Sequence, residues 1–238
     1  VVGTKNICRA ALDANIPKLI HFSSVHAFQQ TPTDEPLDER RPLVRNKNAP
    51  PYDKSKAEAQ HVIYNACNKG LNAVILHPTG IIGPYDFKPS RMGKVLLDIM
   101  KKKMLININA GFNWVDVRDV SNTAINCITA GKQGQHYIIP GQWATFKQIS
   151  TIISNQLHFR TNYLTLPFWS AYLALPFAFM VSKLTGSRPS FSRGSLHALA
   201  EQCQKIPGTL ARDEIGHQSR PLIETINDTI TWFEKHAN

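Results

Sequence analysis

The sequence predicts an α/β fold, a parallel sheet flanked by helices, with a smaller second domain towards the C-terminus. Short apolar runs of strand length alternate with amphipathic stretches of helix length over the first 160 residues, the pattern of right-handed βαβ units. Beyond residue 160 the pattern changes to apolar stretches broken by proline, which predicts a separate capping unit. There is also material for a core: 42% of the 238 residues are hydrophobic and 18% are charged, which excludes a disordered, collagen-like or coiled-coil chain.

Taken in order, residues 2 to 14 are apolar at helical spacing, and Asn15 and Pro17 end that helix. KLIHFSS (Lys18 to Ser24) is a strand. Residues 25 to 51 are rich in Pro, Asp, Arg and Asn, a long loop of the kind that carries function beside a sheet edge. Tyr52 to Lys69 is a helix stopped by Gly70, and NAVILHP (Asn72 to Pro78) is the next buried strand. A Gly/Pro-rich turn follows, then a helix from Arg91 to Lys103 and the alternating ININ strand (Ile106 to Asn109). Trp114 to Val117 reads as a strand or its edge, Asp119 to Ala130 as a helix, HYIIPG (His136 to Gly141) as a short strand and Phe146 to Leu157 as a helix. These boundaries assign 1–84 and 105–141 to the first domain, and 85–104 and 142–238 to the second.

The chain opens on a helix with no upstream strand, so it reads as an excerpt. No secretory signal is visible at its start. Cys8, Cys67, Cys127 and Cys203 lie far apart without a CxxC pair, so free thiols, no metal site and a cytoplasmic location are expected. The net charge is +10, yet Lys101 to Lys103 is the only basic run of three and sits where cations favour a helix end; nucleic acid is not an expected partner. Thr161 to Ser182 carries no charge and is long enough on paper to cross about 30 Å of hydrocarbon. Pro167 and Pro176 interrupt it, so a helix packed on the core or lining an apolar pocket is favoured over membrane contact.

Tyr52 and Lys56 lie four apart on one face of a predicted helix. An ammonium about 4 Å from a phenolate stabilises it by roughly 4 kcal/mol at an effective dielectric of about 20, which suits acid/base chemistry. The surrounding order is specific: a VxGTxN helix (Val1, Gly3, Thr4, Asn6), a strand ending in Ser23-Ser24, the Tyr52/Lys56 helix, a strand running into HPTGIIGP (His77 to Pro84), then WVDVRDV (Trp114 to Val120). With these five elements the chain resembles the extended short-chain dehydrogenases/reductases, in particular their dihydroflavonol-reductase-like and 3β-hydroxysteroid-dehydrogenase-like branch. TGSRP (Thr185 to Pro189) and the terminal Gly216 to Phe233 resemble that branch's C-terminal region.

The resemblance implies a Rossmann-type sheet lacking its N-terminal βαβ units, a small C-terminal α/β substrate domain, and NAD or NADP as cofactor. It implies Ser24 as catalytic serine, with Phe28 where the family usually has tyrosine four residues on. Tyr52 is then the acid/base and Lys56 the holder of the nicotinamide ribose hydroxyls. Ser23 and the turn Pro78, Thr79, Gly80 and Ile81 would meet the cofactor, and His26, His77 and Phe87 would line the substrate. The partner is a small, rather apolar molecule, since the C-terminal region offers Phe168, Trp169, Tyr172, Phe177 and Phe179; a homodimer is compatible with the resemblance. No GxxGxxG turn is present in the 238 residues. Gly111, Phe112 and Asn113 stand where sugar-nucleotide epimerases of the family carry an arginine. Asp119 is expected to cap the helix that follows it, and Arg118 to pair with a carboxylate. Two alternatives to an alcohol/ketone oxidoreductase are an NDP-sugar epimerase or dehydratase, and a non-catalytic NAD(P)-binding regulator.

Overall fold

The computed structural model describes residues 1–103, 106–108, 110–160, 164–167, 169–173, 175–176, 180, 196, 199 and 202–236. They form two compact units: 1–81 with 113–142 and 203–220, and 82–112 with 143–202 and 221–238.

The first unit is built on a parallel sheet of order β1-β2-β6, made of β1 (Leu19–Phe22), β2 (Ala73–Pro78) and β6 (His136–Ile139). All six residues of β2 are buried, as a central parallel strand covered on both faces requires. Alternation sends Ala73 and Ile75 to one face, where α1 (Val2–Asp13) and α2 (Pro51–Cys67) supply Cys8, Ala11, Ile63 and Ala66. Val74, Leu76, Tyr137 and Ile139 take the other face, with Val120 and Cys127 of α4 (Val117–Ala130) and Ala211 and Ile215 of α6 (Thr209–Ile215). Burying each of the valine, leucine and isoleucine side chains among them stabilises the fold by about 1.5–3 kcal/mol. Lys18 Nζ donates to the carbonyls of Cys127 and Gly131, closing the C-terminal end of α4 onto β1.

The second unit holds α3 (Arg91–Met100), α5 (Phe146–Gln156), α7 (Leu222–His236) and a two-stranded parallel pair, β4 (Ile106–Ile108) with β8 (Leu164–Leu166). A capping box starts α5: the Thr145 hydroxyl accepts from the Gln148 N–H, and the Gln148 side chain accepts from the Thr145 N–H. Leu222, Ile226, Ile230 and Phe233 recur at helical spacing as the buried face of α7. Three further short strands, β3 (Gly80–Ile82), β5 (Gly111–Asp116) and β7 (Gln142–Thr145), lie where the chain passes from one unit to the other.

Several expectations are corrected. Residues 203–220 belong with the sheet unit, because Ala211 and Ile215 pack on its second face. Residues 105–112 and 82–84 belong to the other unit; β4 finds its pairing partner in β8, not in the main sheet. The predicted Gly/Pro turn contains the strand β3, and β7 was not foreseen. Asp116, not Asp119, caps α4: its side chain accepts from the Arg118 N–H at 2.7 Å and also pairs with the Arg118 guanidinium. Asp119 instead binds Arg220, through the backbone N–H at 2.8 Å and through Nε and Nη2 at 2.9 and 2.7 Å. Among the described residues, no helix is long and apolar enough to cross a membrane. Phe168, Phe177, Phe179 and Thr185 to Pro189 lie outside the described residues.

Candidate active site

Where β1 ends, the Ser23 N–H still donates to the Leu76 carbonyl at 2.8 Å, extending the ladder by one residue. Ser24 then leaves it in extended conformation (φ −161°, ψ 151°) and starts a 3₁₀ turn over Val25–Ala27. Its Oγ accepts from the His26 N–H at 3.2 Å, and its carbonyl accepts from His77 Nδ1 at 2.9 Å. Both serines are buried, at the C-terminal end of a parallel strand, where ligands meet such sheets.

Pro51 occupies the first position of α2, where its missing N–H costs nothing. Tyr52 follows in the first turn and is 54% exposed. One turn on, Lys56 Nζ lies over that ring, 5.7 Å from its centroid, within cation–π range. Half-buried, Lys56 is pulled below the usual lysine range by lost hydration. Among the described residues it has no hydrogen-bond acceptor and no carboxylate partner.

His26 links the two elements. Its N–H holds Ser24 Oγ, and its ring meets Tyr52 edge-on at 6.2 Å between centroids. Burial pulls His26 down to about 4, and its Nδ1 stands 3.8 Å from Asp53 Oδ1.

The other predicted residues divide. His77 has no exposed surface, so it lies beneath the site and does not line an open pocket as expected; burial in the central strand, with the nearby imidazoles and Lys56, pulls it down to about 3. Thr79 commits its N–H to the Ile139 carbonyl at 3.2 Å, Gly80 and Ile81 enter β3, and Ile81 is 40% exposed. Phe87 belongs to the second unit, exposed and perpendicular to Trp232 at 5.1 Å. Sequence reasoning passed over His21, Gln60, Tyr64 and His136. Gln60 donates to the Tyr64 hydroxyl at 2.6 Å, which meets His136 Nδ1 at 2.8 Å. The signal was present: Tyr52, Lys56, Gln60 and Tyr64 are spaced by four, and His21 alternates with Ser23. Among the described residues no group of three His, Cys, Asp or Glu could hold a metal.

A half-buried ammonium without an acceptor, beside an exposed phenol, suits neutral hydroxyl groups of a sugar. Such a donor fits a ribose hydroxyl of a dinucleotide.

The NAD dependent epimerase/dehydratase family matches over residues 1–139. The chain belongs to that family. A Synechocystis protein with the provisional name dihydroflavonol 4-reductase is 28% identical over 244 residues, covering all of this chain and 70% of its own length. The crystal structure of gox2253 superposes with a TM-score of 0.81 at 28% identity, over 98% of this chain and 71% of that one. The structure of RMD from Pseudomonas aeruginosa complexed with NADPH has a TM-score of 0.73 at 15% identity, over 99% and 73%, a likeness of fold. Membership of the epimerase/dehydratase family makes NAD or NADP the cofactor, bears out the expected place among the extended short-chain dehydrogenases/reductases, and agrees with the Rossmann-like parallel sheet β1-β2-β6 of the described residues.

Proposed function

We propose that this chain carries the proton-transfer half of an NAD(P)-dependent oxidoreductase that interconverts an alcohol and a ketone on a rather apolar substrate. The single observation behind this is the corner at which His26 holds Ser24 Oγ with its amide and packs its ring on Tyr52, while Lys56 lies over the same tyrosine. Each residue has a role that follows from its surroundings. Ser24 Oγ accepts from the His26 amide, which leaves its O–H to donate to a substrate oxygen. Tyr52, exposed on the first turn of α2, holds the proton at its phenolic oxygen. Lys56, one turn further along α2 and over the Tyr52 ring, would hold the ribose hydroxyls. The cofactor, when bound, supplies or accepts the hydride.

Support for an apolar substrate comes from the aromatic C-terminal region, in which Trp169 and Tyr172 are exposed. Against sugar-nucleotide chemistry, Asn113 stands near where an arginine would meet a diphosphate, and its Oδ1 is committed to the Gly141 N–H at 2.7 Å.

The test is hydride transfer in the full-length protein across a panel of carbonyl compounds. Tyr52→Phe should abolish turnover and leave cofactor binding nearly intact, while Lys56→Met should damage both. Equal activity of Tyr52→Phe and wild type would overturn the mechanism. Cofactor binding without turnover of any carbonyl would favour a regulator.

A further inference from the structure

Beneath the Tyr52/Lys56 corner lies a second polar layer that the proposed mechanism does not use. Its floor is one face of the sheet. The register pairs His21 with Ile75 and Ile75 with His136. The bond from Ser23 N–H to the Leu76 carbonyl places Ser23 opposite His77 in the next row. Since alternate residues share a face, His21, Ser23, His77 and His136 stand together in two adjacent rows. Strands about 4.8 Å apart and rows about 7 Å apart keep all four within a small area.

The roof is α2, which packs on this same face through Ile63 and Ala66. Its stripe of Lys56, Gln60 and Tyr64 is pinned there by the bond between the Tyr64 hydroxyl and His136. The Lys56 charge acts on both His21 and His77.

The layer's polar atoms are complementary but do not reach one another. His77 donates from Nδ1 to the Ser24 carbonyl, so its neutral ring presents a bare lone pair at Nε2. Gln60 spends its amide N–H on Tyr64, which leaves Oε1 as an acceptor. Among the described residues, His21 Nε2, Ser23 Oγ, His77 Nε2 and Gln60 Oε1 are buried without a hydrogen-bond partner, and Lys56, one turn before Gln60 on α2, carries three donors. Buried polar atoms rarely stay unpaired, because each unmade bond costs about 1–3 kcal/mol. A buried water makes about three such bonds.

We propose that this layer binds ordered water bridging Lys56 Nζ to His77 Nε2, with Ser23 Oγ, Gln60 Oε1 and His21 Nε2 as further partners, and that His77 and Ser23 are thereby positioning residues for Lys56. The inference rests on the functional reading above for its relevance to catalysis, but not for its geometry. The bridge gives the ammonium an acceptor on its inner side, which keeps it charged in a half-buried place and sets the height at which it meets Tyr52. His77 serves only while neutral; a proton on Nε2 would turn a donor towards an ammonium. The titratable groups that face it are His21 and His136 on the neighbouring strands and Lys56 on α2.

The experiment is nuclear magnetic resonance on the full-length protein labelled with ¹⁵N and ¹³C, with no substrate present. In the wild type at neutral pH, His77 should show a protonated Nδ1 and an Nε2 shifted as a hydrogen-bond acceptor. A protonated Nε2, or a bare one, overturns the proposal without any variant. The Lys56 side chain is then titrated. His77→Phe should lower its pKa by about one pH unit, a tenfold loss of proton affinity, with Ser23→Ala acting in the same direction but less, and His77→Gln restoring most of the value. An unchanged Lys56 titration in folded His77→Phe, or in Ser23→Ala should His77→Phe fail to fold, overturns it. Because neither readout needs turnover, failure of the water bridge is distinguishable from failure of the Tyr52 mechanism.

Discussion

Acidification from pH 7 to pH 5 should strip this fold of much of its stability. Burial holds His21 and His26 at about 4 and His77 at about 3, whereas each has a value of 6.5 in the unfolded chain. The unfolded state therefore takes up protons that the native state refuses, so stability falls as pH drops below 6.5. At pH 5 each unfolded imidazole lies 1.5 pH units below its own pKa, and with about 1.36 kcal/mol per unit the loss is about 2 kcal/mol per histidine. Three histidines give about 6 kcal/mol, comparable with the whole stability of many domains at about 5–15 kcal/mol. His217, also held down by burial, adds in the same direction. Asp38 and Glu214, held below the usual carboxylate range by Arg40 and Lys132, weaken the fold only at still lower pH and so do not offset the drop. Urea denaturation followed by circular dichroism reads the effect: with a slope of about 1–3 kcal/mol/M the midpoint should fall by about 2 M or more between pH 7 and pH 5. Coincident midpoints would refute the burial of these imidazoles as neutral groups.

Asp119→Ala should destabilise the sheet unit by about 3 kcal/mol in the same denaturation assay, because it leaves the partly buried Arg220 guanidinium without its closest carboxylate. Gly141→Ala should cost more than about 2 kcal/mol or prevent folding, since a Cβ there would collide with the Trp114 carbonyl; a wild-type melting temperature would contradict that close approach. The 238-residue chain alone should bind NAD(H) or NADP(H) more weakly than micromolar by calorimetry, because no glycine turn in it offers the N–H groups a pyrophosphate needs. It should also self-associate in sedimentation, as β1 pairs only with β2 among the described residues and leaves Phe22 46% exposed. Micromolar binding by a monomer would sink both expectations.

The elements of the sheet unit were legible because their burial is written locally. An apolar residue at every third or fourth position makes α1 and α2, a continuous apolar run makes β2, and no distant residue is needed to read either. The pair Tyr52 and Lys56 was legible for the same reason, since helical spacing alone puts the two on one face. Whatever depends on residues far along the chain was decided by the tertiary structure. Nothing within residues 203–220 says that Ala211 and Ile215 will cover Tyr137 and Ile139, and nothing in ININ says that its partner strand is Leu164–Leu166. Asp116 and Asp119 are both acids at a helix start. Asp116 became the cap because α4 begins at Val117, and Asp119 was drawn to Arg220 from 101 residues away. His77 looked like any histidine near a strand end; its neutrality and its unpaired Nε2 follow from burial between two covered faces, a property of the assembled sheet that no local pattern records.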